Sequence, residues 1–255
     1  MIHFIFKNNH KLKRTSVPDN QPNKDKFFIF TDLHSHLLPG IDDGSQSLEE
    51  SENLIRRLIQ LGYRKLITTP HIMQDYYRNT PEIILEKLQT LQEHLQKKQI
   101  EIELSAAAEY YLDEYFIDLL AKKKTLLTFG DNYLLFETSY INQPTNLFET
   151  VFLMQSMGYK PVLAHPERYL YLQQQFAILE KLHEYGVLFQ LNINSLSGYY
   201  SRNAQIFAET LVNKSLVSFV GSDCHKIKHL DQMELSRSKK YFAKLCKIPL
   251  LNHQL

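Results

Sequence analysis

His34 and His36 stand two apart in Thr31-Asp32-Leu33-His34-Ser35-His36, and Asp42 and Asp43 follow shortly after. Side chains at i and i+2 of an extended strand share a face, so the two imidazoles can grip one metal ion. One such pair proves little, because solvated and capping histidines are common. The same ending recurs, however, in Lys65-Leu66-Ile67-Thr68-Thr69-Pro70-His71, in Leu104-Ser105-Ala106-Ala107-Ala108-Glu109, in Pro161-Val162-Leu163-Ala164-His165 and in Val217-Ser218-Phe219-Val220-Gly221-Ser222-Asp223-Cys224-His225. A His, Glu or Asp closing one apolar run after another makes poor core chemistry and good metal-site chemistry.

Imidazoles suit borderline divalent ions and carboxylates suit harder ones. The mixed set of His34, His36, Asp43, His71, Glu109, His165, Asp223 and His225 therefore favours Mn, Fe or Zn over Ca or Mg. It is too large for one tetrahedral ion and implies two or three divalent ions with bridging carboxylates. Such ions clamp the attacking and leaving oxygens of a phosphoryl group and lower the pKa of a bound water, so phosphate-ester hydrolysis is the expected reaction. Neither cysteine lies in a Cys-x-x-Cys pattern, which argues against a closed zinc site. Arg168, three residues after His165, is expected to hold phosphate oxygens bidentately. The positions six beyond Cys224 and Cys246 are Leu230 and Asn252, so no cysteine-dependent phosphatase loop is present, and Cys224 is expected to fill space between two ligands.

The elements that must position these residues alternate along the chain. Phe27-Phe28-Ile29-Phe30 reads as a buried strand from whose C-terminal end the first two histidines emerge, the end where α/β barrels carry their active sites. Ser47-Leu48-Glu49-Glu50 is a capping-box pattern, and Leu54, Ile55, Leu58 and Ile59 recur at helical spacing until Gly62. Thr80-Pro81 starts a second helix with Ile84, Leu88, Leu91 and Leu95 on one face. Further helices are expected over 112–123, 145–157, 174–185, 203–213 and 232–245, with strands at 133–136 and 187–192 among those between them. Seven strands alternating with helices predict a parallel α/β sheet closed into a barrel. No G-x-G-x-x-G or P-loop follows a strand, which disfavours an open nucleotide-binding sheet.

With 255 residues and 44% hydrophobic content, residues 27–255 can build one barrel domain. A net charge of +1 gives no field for nucleic acid or anionic membrane, and no apolar run spans a bilayer, so neither partner is expected. The absence of a disulfide framework suits a reducing cytoplasm. Residues 1–26 differ: apolar Met1–Phe6 precedes Lys7, Lys11, Lys13, Arg14, Lys24 and Lys26, with Pro18 and Pro22 between. That order reverses a secretory signal and predicts a flexible basic extension, with a weak membrane-surface or docking arm as the second reading.

The block Asp32-Leu33-His34-Ser35-His36-Leu37-Leu38-Pro39-Gly40-Ile41-Asp42-Asp43-Gly44, with Thr69-Pro70-His71, Ala108-Glu109, Ala164-His165-Pro166-Glu167-Arg168 and Ser222-Asp223-Cys224-His225, closely resembles the PHP-domain (polymerase and histidinol phosphatase) protein tyrosine phosphatases of bacterial capsule and exopolysaccharide loci. The resemblance runs from about Phe28 to Cys246. It implies a distorted TIM-like (β/α)7 barrel, a metal cluster usually supplied as manganese, and dephosphorylation of the tyrosine-rich tail of a membrane-anchored bacterial tyrosine kinase. It further implies that His34 and His36 share one metal with Glu109 and Asp223, and that Glu109 bridges to a second metal held by His71 and His165. Asp43 and His225 would complete a third position, with Asp42 in a supporting or turn role. Arg168 matches the family's phosphate-binding arginine and, with Asp223 and His225, forms the expected catalytic set. The sequence departs from the family after His225, where members often carry another arginine; here Lys226, Lys228 and His229 follow and Arg237 is the next arginine.

The expected mechanism is direct in-line attack of a metal-bound hydroxide, with Arg168 and the metals taking charge from the equatorial oxygens. Phenolate, with a pKa of about 10, leaves more readily than an alkoxide, which favours aryl phosphates. Tyr76-Tyr77-Arg78 and Tyr110-Tyr111 either line the mouth or lie on the surface, and Asn192-Ile193-Asn194-Ser195 faces the rim, where it would donate hydrogen bonds to substrate. Other readings are a small-molecule PHP phosphatase acting on histidinol phosphate, a nuclease or proofreading subunit, and a non-catalytic phosphopeptide-binding protein. An amidohydrolase is disfavoured because the fourth strand ends in Glu137 and not lysine.

Overall fold

The computed structural model describes residues 29–255; the basic extension expected over residues 1–26 lies outside them, as do Phe27 and Phe28. In chain order the elements are β1 (Thr31–Asp32), α1 (Leu48–Gln60), β2 (Lys65–Thr68), β3 (His71–Ile72), α2 (Pro81–Lys97), β4 (Glu103–Ala106), β5 (Glu109–Tyr111), α3 (Glu114–Ala121), β6 (Tyr133–Glu137), α4 (Leu147–Ser156), β7 (Lys160–Ala164), α5 (Leu170–Gln174), α6 (Phe176–Glu184), β8 (Leu188–Asn192), α7 (Arg202–Asn213), β9 (Phe219–Gly221), α8 (Ile227–Arg237) and α9 (Lys240–Leu245). Among the described residues every pairing between these strands is parallel.

The strands form two sheets, β1-β2-β4 and β3-β5-β6-β7-β8-β9, because two of the seven expected strands are bent in the middle. The second run breaks at Thr69-Pro70, where proline has no N–H to give the ladder, and resumes as β3. The third breaks at Ala107-Ala108 and resumes as β5. Hydrogen bonds from Ala107 N–H to Thr68 O (2.9 Å) and Glu109 N–H to Pro70 O (3.1 Å) carry the pairing across both bends. The result is a distorted barrel of seven β/α units.

Barrel closure joins the segment that follows β1 to the segment that follows β9. Ser35 bridges Cys224, Asp223 N–H donates to His34 O at 2.8 Å, and His36 N–H donates to Cys224 O at 2.9 Å. At the other end of this seam the buried Asn252 side chain sits between β1 and β9. It donates to Thr31 O (3.1 Å) and Val220 O (2.8 Å) and accepts from Val220 N–H (2.9 Å).

Leu33, Ile67, Ala107, Phe129, Leu135, Val162, Ala164 and Phe219 fill the barrel interior, while the alternate residues Leu134, Phe136 and Leu163 pack outward under the helices. Each such leucine contributes roughly 1.5–3 kcal/mol by leaving water. The apolar plug dictates what comes above it. Glu109 lies two residues beyond Ala107 and Glu137 two beyond Leu135, the even spacing that keeps strand side chains on one face, whereas Asp223 follows the end of β9 with a left-handed backbone at φ 48°. His165 follows inward-facing Ala164 at odd spacing, and a left-handed backbone at φ 33° accompanies the change of direction.

Helix boundaries follow the sequence signals with local differences. Ser47 Oγ accepts from Glu50 N–H at 3.2 Å, but the Glu50 carboxylate reaches one residue further back than in a capping box, to Gln46 N–H at 2.8 Å. The helix expected over 232–245 is two helices, α8 beginning at Ile227 and α9 at Lys240, with the chain turning at Ser238-Lys239. Among the described residues the first strand is Thr31–Asp32, with Ile29 and Phe30 just ahead of it outside any strand, and α5 has no signal in the sequence.

Candidate active site

His34 and His36 meet at their Nε2 atoms, 3.4 Å apart, because each ring is held from behind. His34 Nδ1 donates to Gln190 Oε1 at 2.7 Å, and His36 Nδ1 donates to Asp42 Oδ2 at 2.8 Å. These partners fix which nitrogen faces the cavity. The turn that brings Asp42 back needs Gly44, where a Cβ would lie 2.2 Å from His36 O; at Gly221 a Cβ would lie 2.6 Å from the Cβ of His34.

Glu109 spans the cluster. Its Oε2 lies 3.2 Å from His34 Nε2, 3.5 Å from His36 Nε2 and 3.2 Å from His71 Nδ1, and its Oε1 lies 3.0 Å from His165 Nε2. Asp223 Oδ1 lies 3.6 Å from His34 Nε2, 3.5 Å from His36 Nε2 and 3.4 Å from His225 Nδ1. Asp43, half-exposed at the mouth, stands 3.3 Å from His225 Nε2 and 3.6 Å from His71 Nε2. All eight residues expected as ligands therefore converge. Their atoms group as His36-Asp43-His71-His225, His34-His36-Asp223, His34-Glu109-His165 and His71-Glu109-Glu137, with donors in each group within 4.8 Å of one another.

Glu137 is the member that sequence reasoning missed. Its Oε1 is 3.1 Å from His71 Nδ1 and its Oε2 is 3.9 Å from His165 Nε2. The signal is present in the sequence, since Glu137 closes the fourth strand as Glu109 closes the third. The grouping also differs from the expected partition, because His36 joins Asp43, His71 and His225 as well as His34.

The donor set fits a divalent cation. His71 Nδ1 is buried between two carboxylates yet is aligned to hydrogen-bond with neither. Electrostatics agree. Burial works to lower the pKa of His36, but Asp42, Asp223 and Glu109 outweigh it and hold it well above the usual range. Burial would raise Glu109 and Asp223, but the imidazoles beside them hold both well below it. Carboxylates that draw protons onto buried imidazoles draw a metal ion for the same reason. Asp32 anchors the next strand, accepting from Ser222 N–H (2.8 Å) and Oγ–H (2.6 Å), while burial pushes its pKa up to about 6.

The second oxygen of Asp223 faces a different group of residues. Oδ2 accepts from Arg168 at 2.8 Å and from Asn192 Nδ2 at 2.7 Å, with Tyr200 Oη at 3.5 Å. Asn192 is thus buried behind Asp223 and supports it, a correction to its expected place at the rim. Ser195 likewise turns inward, donating to Glu167 Oε1 at 2.6 Å. A cavity of about 680 Å³ opens over the cluster, with Tyr76, Tyr77, Tyr111 and Tyr140 on its walls. Tyr77 stacks on His71 at 5.4 Å, whereas Tyr110 is wholly buried in the core. Of the residues after His225, Lys226 and His229 line the cavity. Lys228 lies over the Tyr199 ring, and Arg237 packs on Tyr63 and donates to Leu61 O at 2.6 Å. Cys224 is buried, and burial pushes its thiol pKa well up, so it fills space and is no nucleophile.

Comparison with known proteins agrees with this geometry. The chain is 31% identical over 197 residues to the tyrosine-protein phosphatase YwqE of Bacillus subtilis, covering 77% of this chain and 78% of that protein. It is 30% identical over 236 residues to the tyrosine-protein phosphatase CpsB of Streptococcus pneumoniae, covering 85% and 93%. It superposes with a TM-score of 0.76, at 30% identity and 85% and 89% coverage, on a crystal structure among those of YwqE from Bacillus subtilis and CpsB from Streptococcus pneumoniae, described as metal-dependent tyrosine phosphatases. A lactonase from Listeria monocytogenes, at 12% identity and a TM-score of 0.54 over 88% of this chain and 93% of its own, shares the fold alone. The model of the capsular polysaccharide synthesis family CpsB/CapC matches residues 30–247, and the chain belongs to that family.

Proposed function

We propose that this chain is a cytoplasmic, metal-dependent protein-tyrosine phosphatase that removes phosphate from the tyrosine-phosphorylated tail of a membrane-anchored bacterial tyrosine kinase and so regulates capsular or exopolysaccharide synthesis. The observation that carries the reading is the double role of Asp223, one oxygen in the imidazole cluster and the other on Arg168. A cation site and an anion-binding guanidinium are thereby joined through one carboxylate, which suits a phosphate ester held between them. Tyrosine phosphatase relatives with this barrel support the aryl substrate. No helix among the described residues is long and apolar enough to cross a membrane.

His34, His36, Asp43, His71, Glu109, Glu137, His165, Asp223 and His225 would hold two or three divalent ions, manganese first, with iron or zinc also suited to these donors. Bound there, such ions lower the pKa of a water and offset charge on the phosphoryl oxygens. The chain's own residues do the rest. Arg168 meets the non-bridging oxygens, and Asp223, itself held by Asn192, restrains it. The tyrosines of the cavity walls admit a flat aromatic leaving group and exclude water around it. Lys226 and His229 stand on the wall where polar hydrogens can meet the departing phenolate.

The test is hydrolysis of a phosphotyrosine peptide by metal-stripped protein with and without Mn²⁺, beside histidinol phosphate. Turnover restored by metal, preferring the peptide, and reduced at least a hundredfold by His36→Ala or Arg168→Ala is the expected result. Metal-loaded protein that ignores the peptide and cleaves histidinol phosphate overturns it in favour of a small-molecule phosphatase.

A further inference from the structure

The guanidinium of Arg168 is caged in a way that its one charged partner does not require. Tyr140 and Tyr200 flank it, with Cζ 4.7 Å and 4.3 Å from their ring centroids, while Nη1 is fixed on Asp223 Oδ2 at 2.8 Å. Each tyrosine is itself held. Tyr200 Oη accepts from Asn192 Nδ2 at 3.2 Å, and Tyr140 stacks on His165 at 5.8 Å and packs against Tyr169 at 5.6 Å. The Arg168 side chain keeps 22% of its surface exposed, and that surface lines the cavity.

We propose that Tyr140 and Tyr200 are positioning residues that clamp Arg168 so that it can meet a phosphate only along its edge, with its unpaired N–H donors directed to two oxygens of the anion. This rests on the phosphatase reading of the site. Arginine carries several rotatable bonds, and holding it in one geometry costs side-chain entropy at the moment of binding. Two rings within stacking reach meet that cost before the substrate arrives. They also occupy the surface on which the substrate's own ring would otherwise stack, which leaves the bidentate edge as the mode of contact. Neither tyrosine need touch the phosphate; both act through Arg168.

The experiment measures binding of inorganic phosphate to the full metal-loaded protein by calorimetry, with metal content checked for every variant. Tyr140→Leu and Tyr200→Leu are each expected to weaken phosphate about tenfold, the scale of a desolvated cation–π contact, with metal content unchanged. Tyr140→Phe, which keeps the ring, should return affinity to within about twofold of the parent. Tyr140→Met repeats the test with a flexible side chain if leucine unsettles the fold. The decisive arm places Tyr140→Leu in an Arg168→Ala background, where it should have no further effect. Leucine variants that bind phosphate like the parent, a phenylalanine variant as weak as leucine, or an undiminished loss in the Arg168→Ala background would each overturn the clamp. A parent protein that binds phosphate through Arg168 yet leaves a phosphotyrosine peptide intact would instead refute the phosphatase reading.

Discussion

His36 is tied to Asp42: its Nδ1 donates to Oδ2 at 2.8 Å, and both side chains are buried. The same oxygen accepts His71 N–H at 3.2 Å, and the other oxygen accepts Gly44 N–H at 2.9 Å. One carboxylate thereby orients one candidate ligand, positions the backbone of a second and closes the turn between them. An asparagine has only one oxygen with which to accept from these three donors. Asp42→Asn should therefore weaken metal binding about 10- to 100-fold without unfolding the barrel. Titration with Mn²⁺ against a chelator reads this directly; parent-like affinity would mean that His36 is oriented by packing alone.

The metal site and pH are linked through His71. Burial acts to lower its pKa, Glu109 and Glu137 act to raise it, and the net position is about 9. The unfolded value is the ordinary 6.5, so the folded state gains from this proton. That contribution is complete below pH 6.5 and disappears as pH rises through 9, and for a nearly buried group is on the order of 3 kcal/mol. Metal-stripped protein should thus lose stability across this window. A divalent ion competes with the same proton and binds more tightly as pH rises. Melting temperatures of stripped and Mn²⁺-loaded protein, compared from pH 6.5 to 9, should diverge; a gap that stays constant would separate His71 from the metal.

Glu137 provides a test of the site's extent. Its side chain is only 5% exposed and shares His71 with Glu109. If it serves the cluster, Glu137→Gln removes a charge while keeping the shape, and metal affinity should fall by roughly tenfold or more. Metal content after dialysis measures the loss. Full retention would leave Glu137 as a partner of His71 outside the metal set.

The site was legible in the sequence to the extent that strand parity dictates it. Glu109 and Glu137 each fall two residues beyond an inward-facing apolar residue, so a side chain closing the strand points into the barrel mouth. His165 and Asp223 follow their strands through a left-handed backbone, and nothing local announces it at either position. Gln190 behind His34 and Asn192 behind Asp223 are opaque for another reason: their partners lie 156 and 31 residues away, the first brought near by barrel closure and the second by the pairing of β8 with β9. The Arg168 clamp is of the same kind, since Tyr140 and Tyr200 belong to different loops. The bend at Thr69-Pro70 was signalled by proline. The bend at Ala107-Ala108 was not, because alanine is compatible with either a straight or a bent strand.

Asn252 supports the site from the far end of the barrel. Its side chain makes three hydrogen bonds that join β1 to β9, and it is 2% exposed. Asn252→Ala removes all three and leaves Val220 N–H buried without that partner, at a cost of about 2–4 kcal/mol from net hydrogen bonds of roughly 1 kcal/mol each plus the stranded donor. The same seam ends above in the pairings of His34 with Asp223 and of His36 with Cys224, so the damage should extend beyond the melting temperature. Hydrogen exchange at Val220 should accelerate, and metal should dissociate faster even though no candidate ligand has been changed. A lower melting temperature with an unaltered metal off-rate would mean that the β1–β9 seam stabilises the barrel without helping to hold its metal site together.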